Sequence, residues 1–128
     1  MKSKKNKFNS SRGLWFLPAI VWAGVIYFFS SQQVLPGLEV SLYDYLLKKG
    51  GHMFVYALLY FFLMLGFDKM ENEKPRHSWL ISLLICLVYA LSDEFHQSQV
   101  PGRTAAWRDV GYDLLGANLM LLKRFNYI

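Results

Sequence analysis

The sequence predicts an all-α protein: a membrane-embedded bundle of four transmembrane helices, with both termini cytoplasmic and a polar cavity toward the outer face. Three observations predict it. The 128 residues are 54% hydrophobic, 17% aromatic and only 18% charged, with a mean hydropathy of +0.20, whereas soluble domains carry about 25% charged residues. The apolar residues gather in runs at 14–29, 50–67, 78–91 and, more weakly, 110–122. A membrane-spanning helix takes about 20 such residues, so every run but the second must draw polar neighbours inside. The cations alternate with these runs. Lys2, Lys4, Lys5, Lys7 and Arg12 precede the first, 32–44 hold none, and Lys69, Lys74 and Arg76 follow the second. Arg103 and Arg108 follow the third, and Lys123 and Arg124 follow the fourth. The weight of the basic start places both ends in the cytoplasm, with Lys48 and Lys49 as exceptions on the outer side.

The elements follow in order. The basic segment 1–13 is a cytoplasmic tail that sets topology and touches anionic lipid. It is no nucleic-acid patch, although the net charge is +5 and the pI about 9.4. It is no signal peptide either: no small-x-small site follows, and Ser30-Ser31-Gln32-Gln33 ends an anchored helix. Pro18 removes a donor within the first span and predicts a kink. Pro36-Gly37 makes an outer turn, and the amphipathic stretch 38–47 predicts a short interfacial helix. Gly50-Gly51 opens the second span and predicts a close backbone approach. Segment 68–77 is a solvated loop. Cys86 is a small buried hydrophobe in the third span. Trp15, Trp79 and Trp107 fall near span ends, where interfacial aromatics belong. The single cysteine excludes a disulfide framework, and no Gly-rich phosphate loop, G-x-S-x-G or H-E-x-x-H is present.

The unusual polar residues share one depth. At about 1.5 Å per residue, His52 lies roughly 24 Å from the inner boundary at Asp68, and Asp93 and His96 lie roughly 24 and 28 Å from His77. Asp113 and Asp109 lie roughly 15 and 21 Å from Lys123. The hydrocarbon core is about 30 Å thick, so all fall in its outer half. Spacing adds faces: Asp93, His96 and Gln97 at i, i+3, i+4; Asp109 and Asp113 at i, i+4, continued by Gly116 and Ala117; His52 and Tyr56 at i, i+4. Energetics turn these faces inward. The aliphatic residues of the fourth run return roughly 3 kcal/mol on insertion, whereas two aspartates at central depth cost roughly 5 to 7. That helix inserts only by packing on the others with its carboxylates paired. Arg103, Arg108, His52 and His96 are the expected partners.

The run Ser92-Asp93-Glu94-Phe95-His96-Gln97, then Pro101-Gly102-Arg103, Arg108-Asp109-Val110 and Asp113-Leu114-Leu115-Gly116, resembles the signature of the VanZ-like family. Lys49-Gly50-Gly51-His52 with Tyr56 resembles the start of that family's second span, and Ser30-Ser31-Gln32 the end of its first. The departures, Gln99-Val100 and Asn118, touch no signature position. The resemblance implies a VanZ-like four-helix membrane domain over 14–128. Its namesake accompanies glycopeptide-resistance genes and protects against teicoplanin, a lipid-bearing glycopeptide, and is not one of the ligases or peptidases that rebuild the peptidoglycan stem. The resemblance supplies no molecular mechanism.

The expected site is therefore a polar cavity of Asp93, His96, His52, Asp109 and Asp113, with Arg103, Arg108, Glu94, Gln97 and Tyr56 binding a ligand. Asp93 and Glu94 point about 100° apart, so Asp93 joins His96 and Glu94 pairs with Arg103 or Lys49. Three roles stay open. The cluster lowers susceptibility to teicoplanin-type drugs by altering the outer membrane surface or drug anchoring. Alternatively, His96 or His52 acts as a base oriented by an aspartate, with an arginine gripping a phosphate, in an enzyme that modifies an envelope lipid. Or the charges only lock four marginal helices. Ser92 is a weak nucleophile candidate. A mixed N/O metal site of Asp93, His96, His52, Asp109 and Asp113 is disfavoured because nearby arginines repel a cation; no metal and no cofactor is expected. The expected partners are the bilayer and a lipid-linked envelope precursor, a phospholipid headgroup or a lipoglycopeptide, with no nucleic acid.

Overall fold

The computed structural model describes residues 12–31, 42–70, 74–102 and 106–127. A 3-10 turn over Arg12–Phe16 leads into α1 (Leu17–Ser30), followed by α2 (Leu42–Asp68), α3 (Ser78–Ser98) and α4 (Trp107–Arg124), with no strand among the described residues. The all-α expectation holds. The segments Gly13–Ser30, Lys49–Asp68 and Ser78–Gln97 are long and apolar enough to cross a membrane. α4 does not reach that standard, in keeping with its two aspartates and its basic last turn. The tail 1–11 and the turn at Pro36-Gly37 lie outside the described residues.

Three local expectations are corrected. Pro18 sits in the first turn of α1, where its missing N–H is one of the helix's unpaired donors anyway, so it starts the helix rather than kinking it. Residues 42–47 are not a separate interfacial helix. They are the opening turns of α2, whose 27 residues extend about 40 Å, longer than the hydrocarbon core is thick. A Cβ added at Gly50 or Gly51 would meet nothing within 4 Å. The close approach is at Gly116, where a Cβ would collide with the backbone carbonyl of Met53, so α4 lies directly against α2.

Contacts fix the directions. Phe16 meets Phe67 edge-on at 5.0 Å, and Trp22 Nε1 donates to Val55 O at 2.8 Å, so α1 and α2 are antiparallel. Tyr89 Oη donates to Ala23 O at 2.5 Å, and Gln97 Nε2 to Ser30 Oγ at 3.4 Å, so α3 follows α1. His52 bonds Asp113, Met53 abuts Gly116 and Asp68 pairs with Arg124, so α4 is parallel to α2. Each helix thus reverses its predecessor, and the start of α1 and the end of α4 share one end of the bundle. After α3 the chain turns at Gly102, whose φ of 81° suits glycine.

Burial is inverted relative to a soluble bundle. Ile20, Val21, Phe28, Phe29, Phe54, Val88 and Phe95 are each about 60% exposed or more, while Asp113 is fully enclosed and Asp93 and Glu94 are 6% and 4% exposed. The interior combines Tyr56, Leu59, Tyr60, Leu63 and Met64 of α2 with Cys86, Ala90, Val110 and Ala117, Ala19 and Ile26 completing it from α1. Large apolar patches facing out and carboxylates facing in suit a lipid surround and not water. Together with the three long apolar helices, this describes a membrane protein.

Candidate functional site

The buried charges collect at one end, where α2 begins, α3 ends and α4 begins. α2 presents Lys49, His52 and Tyr56 at i, i+3 and i+7, one face of a helix. α4 opposes them with Asp109 and Asp113 at i, i+4. Two rungs cross between the helices: Lys49 Nζ donates to Asp109 Oδ1, and His52 Nδ1 meets Asp113 Oδ1 at 2.8 Å. When Asp113 is ionised its carboxylate only accepts, so Nδ1 then donates in that bond and Nε2 is left to accept or exchange a proton. Asp113 is fully enclosed, as is Tyr56, and among the described residues neither Asp113 Oδ2 nor Tyr56 Oη has a hydrogen-bond partner. The small Gly116 and Ala117 allow the helices to approach closely enough for both rungs.

α3 supplies the third wall. Asp93 Oδ2 accepts from Gln97 Nε2 at 3.1 Å, and Gln97 reaches on to Ser30 of α1. Glu94 is buried on the α4 side, where its Oε2 accepts the Ala106 N–H at 3.0 Å and its Oε1 has no partner among the described residues. The two adjacent acids thus point to different neighbours, as their angular separation requires, yet both are inside. His52 lies within electrostatic reach of Asp93, Asp109 and Asp113, and Glu94 within reach of Asp109, Asp113 and His52, so the five form one cluster. His96 is placed differently. It is half-buried, stacks on Tyr27 of α1 at 4.7 Å and 15°, and keeps Nδ1 buried without a partner.

The cation assignments change. Arg108 is exposed at the start of α4, and Arg103 lies outside the described residues. Asp109 takes Lys49, which the sequence offered to Glu94. Topology counting makes Lys49 an outer flanking charge, a partner for Glu94 at most. Its i, i+3, i+7 relation to His52 and Tyr56 was the available signal. Ser92 donates back to Val88 O of its own helix at 2.9 Å, as a packing hydroxyl does. Among the described residues no group of three or more His, Cys, Asp or Glu is placed to hold a metal ion.

The arrangement can do two things chemically. A histidine at the edge of the cluster, held by an enclosed aspartate, is the usual geometry of a positioned proton acceptor. A set of buried carboxylates beside a groove offers hydrogen-bond acceptors at one end of the bundle. The family model described as VanZ/LLP1 matches residues 15–123 of the chain. No curated protein and no solved structure matches it.

Proposed function

Because the chain belongs to the VanZ/LLP1 family, we propose that it is a four-span protein of the cell membrane that lowers susceptibility to teicoplanin-type lipoglycopeptides. In this reading both termini are cytoplasmic and the charged cluster lies in the outer half of the bilayer. It acts on the outer surface, through a lipid-linked envelope precursor, a phospholipid headgroup or the lipoglycopeptide's own anchoring. The observation that carries it is the full or partial burial of Lys49, His52, Asp93, Glu94, Asp109 and Asp113 from three helices together at one end of the bundle. Ionisable residues inside a membrane are costly and mark functional sites by default. The orientation is supported by Lys69, Lys74, Arg76, Lys123 and Arg124, which fall toward the opposite end.

The test is a susceptibility comparison in a sensitive Gram-positive host, with teicoplanin beside vancomycin. It uses wild type, Asp113→Asn and empty vector at membrane abundance matched by immunoblot. Selective protection against teicoplanin by wild type alone supports the reading; no protection at normal abundance overturns it. A reporter fused after Ile128 must read cytoplasmic.

The His52–Asp113 geometry favours a second reading, a hydrolase or transferase acting on an envelope lipid with His52 as the base and Asp113 as its orienter. His52→Gln at normal abundance would then abolish turnover of a lipid substrate, whereas a helix-locking pair would fail by loss of the protein.

A further inference from the structure

Beside the cluster, between the end of α3 and the start of α4, lies a groove of about 200 Å³ lined by Leu91, Glu94, Phe95, Ser98, Ala106 and Trp107. Its polarity is concentrated in one place. Ser98 Oγ donates to Phe95 O within its own helix at 2.5 Å, so its proton is spent there. Glu94, only 4% exposed, lines the groove, and its buried Oε1 has no partner among the described residues. A buried carboxylate oxygen without a donor is costly to keep. Phe95 and Trp107, 70% and 81% exposed, stand at the lips of the groove. Glu94 lies roughly 26 Å along α3 from His77, close to where a hydrocarbon core of about 30 Å gives way to headgroups.

We infer that this groove binds the primary ammonium headgroup of a membrane lipid, the inference resting on the reading that this end faces the outer leaflet. Glu94 Oε1 accepts an N–H from the ammonium, and the Phe95 and Trp107 rings flank the cation, as aromatic faces do for ammonium groups. Leu91 and the apolar wall seat the first carbons of the lipid. The volume is below the roughly 300 Å³ at which drug-sized pockets begin, so it takes a headgroup and not a whole lipid. An ionised Glu94 carboxylate, being an acceptor alone, favours a cationic headgroup over an anionic one. The need for a donor excludes choline, which carries no N–H.

The test uses the purified full chain with lysolipids of one acyl chain bearing ethanolamine, choline or glycerol headgroups, read by native mass spectrometry. Wild type should bind the ethanolamine lipid about tenfold more tightly than the other two, the scale of one hydrogen bond to a charged group. Glu94→Gln should remove that preference. Trp107→Ala, at an exposed position that cannot open the core, should weaken it severalfold. Equal binding of the three lipids by wild type, or full preference retained in both variants, overturns the inference. No antibiotic is present, so failure here leaves the susceptibility reading standing. Conversely, headgroup preference without drug protection removes the resistance role alone.

Discussion

The two ends of the bundle both carry ion pairs and treat them oppositely. At the end where α2 stops, Asp68 accepts from Lys74 and from Arg124, each at 2.6 Å, and the three side chains stay 30–33% exposed. At the other end His52 pairs with an Asp113 side chain that is fully enclosed. Both arrangements tie helices together. The exposed one does so without removing charge from water, so burial is not needed for tying. A buried pair is commonly no more stable than well-packed apolar residues of the same size. The enclosed cluster thus bears a desolvation cost that fastening alone does not require, and the difference argues for a ligand or a reaction at that end.

Breaking the enclosed pair should give the largest effect. His52→Ala or Asp113→Ala leaves one buried charge without its partner and should cost about 3–5 kcal/mol, seen as lost membrane abundance and a lower unfolding temperature in detergent. The double variant His52→Leu/Asp113→Leu sharpens the comparison. Stability should return while protection against teicoplanin stays lost. Recovery of both would reduce the cluster to a fastener like its counterpart.

The next effect concerns how the enclosed rungs are spaced. Gly116→Ala drives a methyl into the Met53 carbonyl and should destabilise by about 1–3 kcal/mol through overpacking. Gly111, five residues earlier on α4, has nothing within 4 Å of its Cβ position. Gly111→Ala should therefore stabilise the helix by about 0.5–1 kcal/mol. Opposite signs in one helix, read by thermal unfolding, would locate the α2–α4 contact at Gly116.

What the sequence made legible follows the same division. Helix number among the described residues, the gathering of the acids at one level of the bundle and the α4 face of Asp109, Asp113, Gly116 and Ala117 are periodic or positional properties, and periodicity survives folding. Of the pairing partners, His52 for an α4 carboxylate was legible; Lys49 for Asp109 was not. Lys49 looked like a flanking charge because depth counting treats a helix end as a boundary, whereas α2 starts seven residues earlier and carries Lys49 inside. His96 shares a turn with Asp93, but the ring goes to Tyr27, a contact set by the α1–α3 distance that no spacing within α3 encodes. Glycine told the same story: a Gly-Gly pair suggested close approach, yet only the neighbour's position decides which glycine is crowded.

The smallest effect belongs to the exposed end. Asp68→Asn removes the acceptor of two ion pairs, each worth about 0.2–1 kcal/mol when solvated, so the variant should unfold only slightly earlier than wild type. The Debye length falls from about 10 Å at 0.1 M salt to about 3 Å at 1 M. The difference between wild type and Asp68→Asn should therefore shrink as salt is raised. The His52→Ala deficit should persist at high salt, because an enclosed pair is screened far less. Matched salt dependence in the two variants would mean that water reaches both ends alike, and the contrast between them would fail.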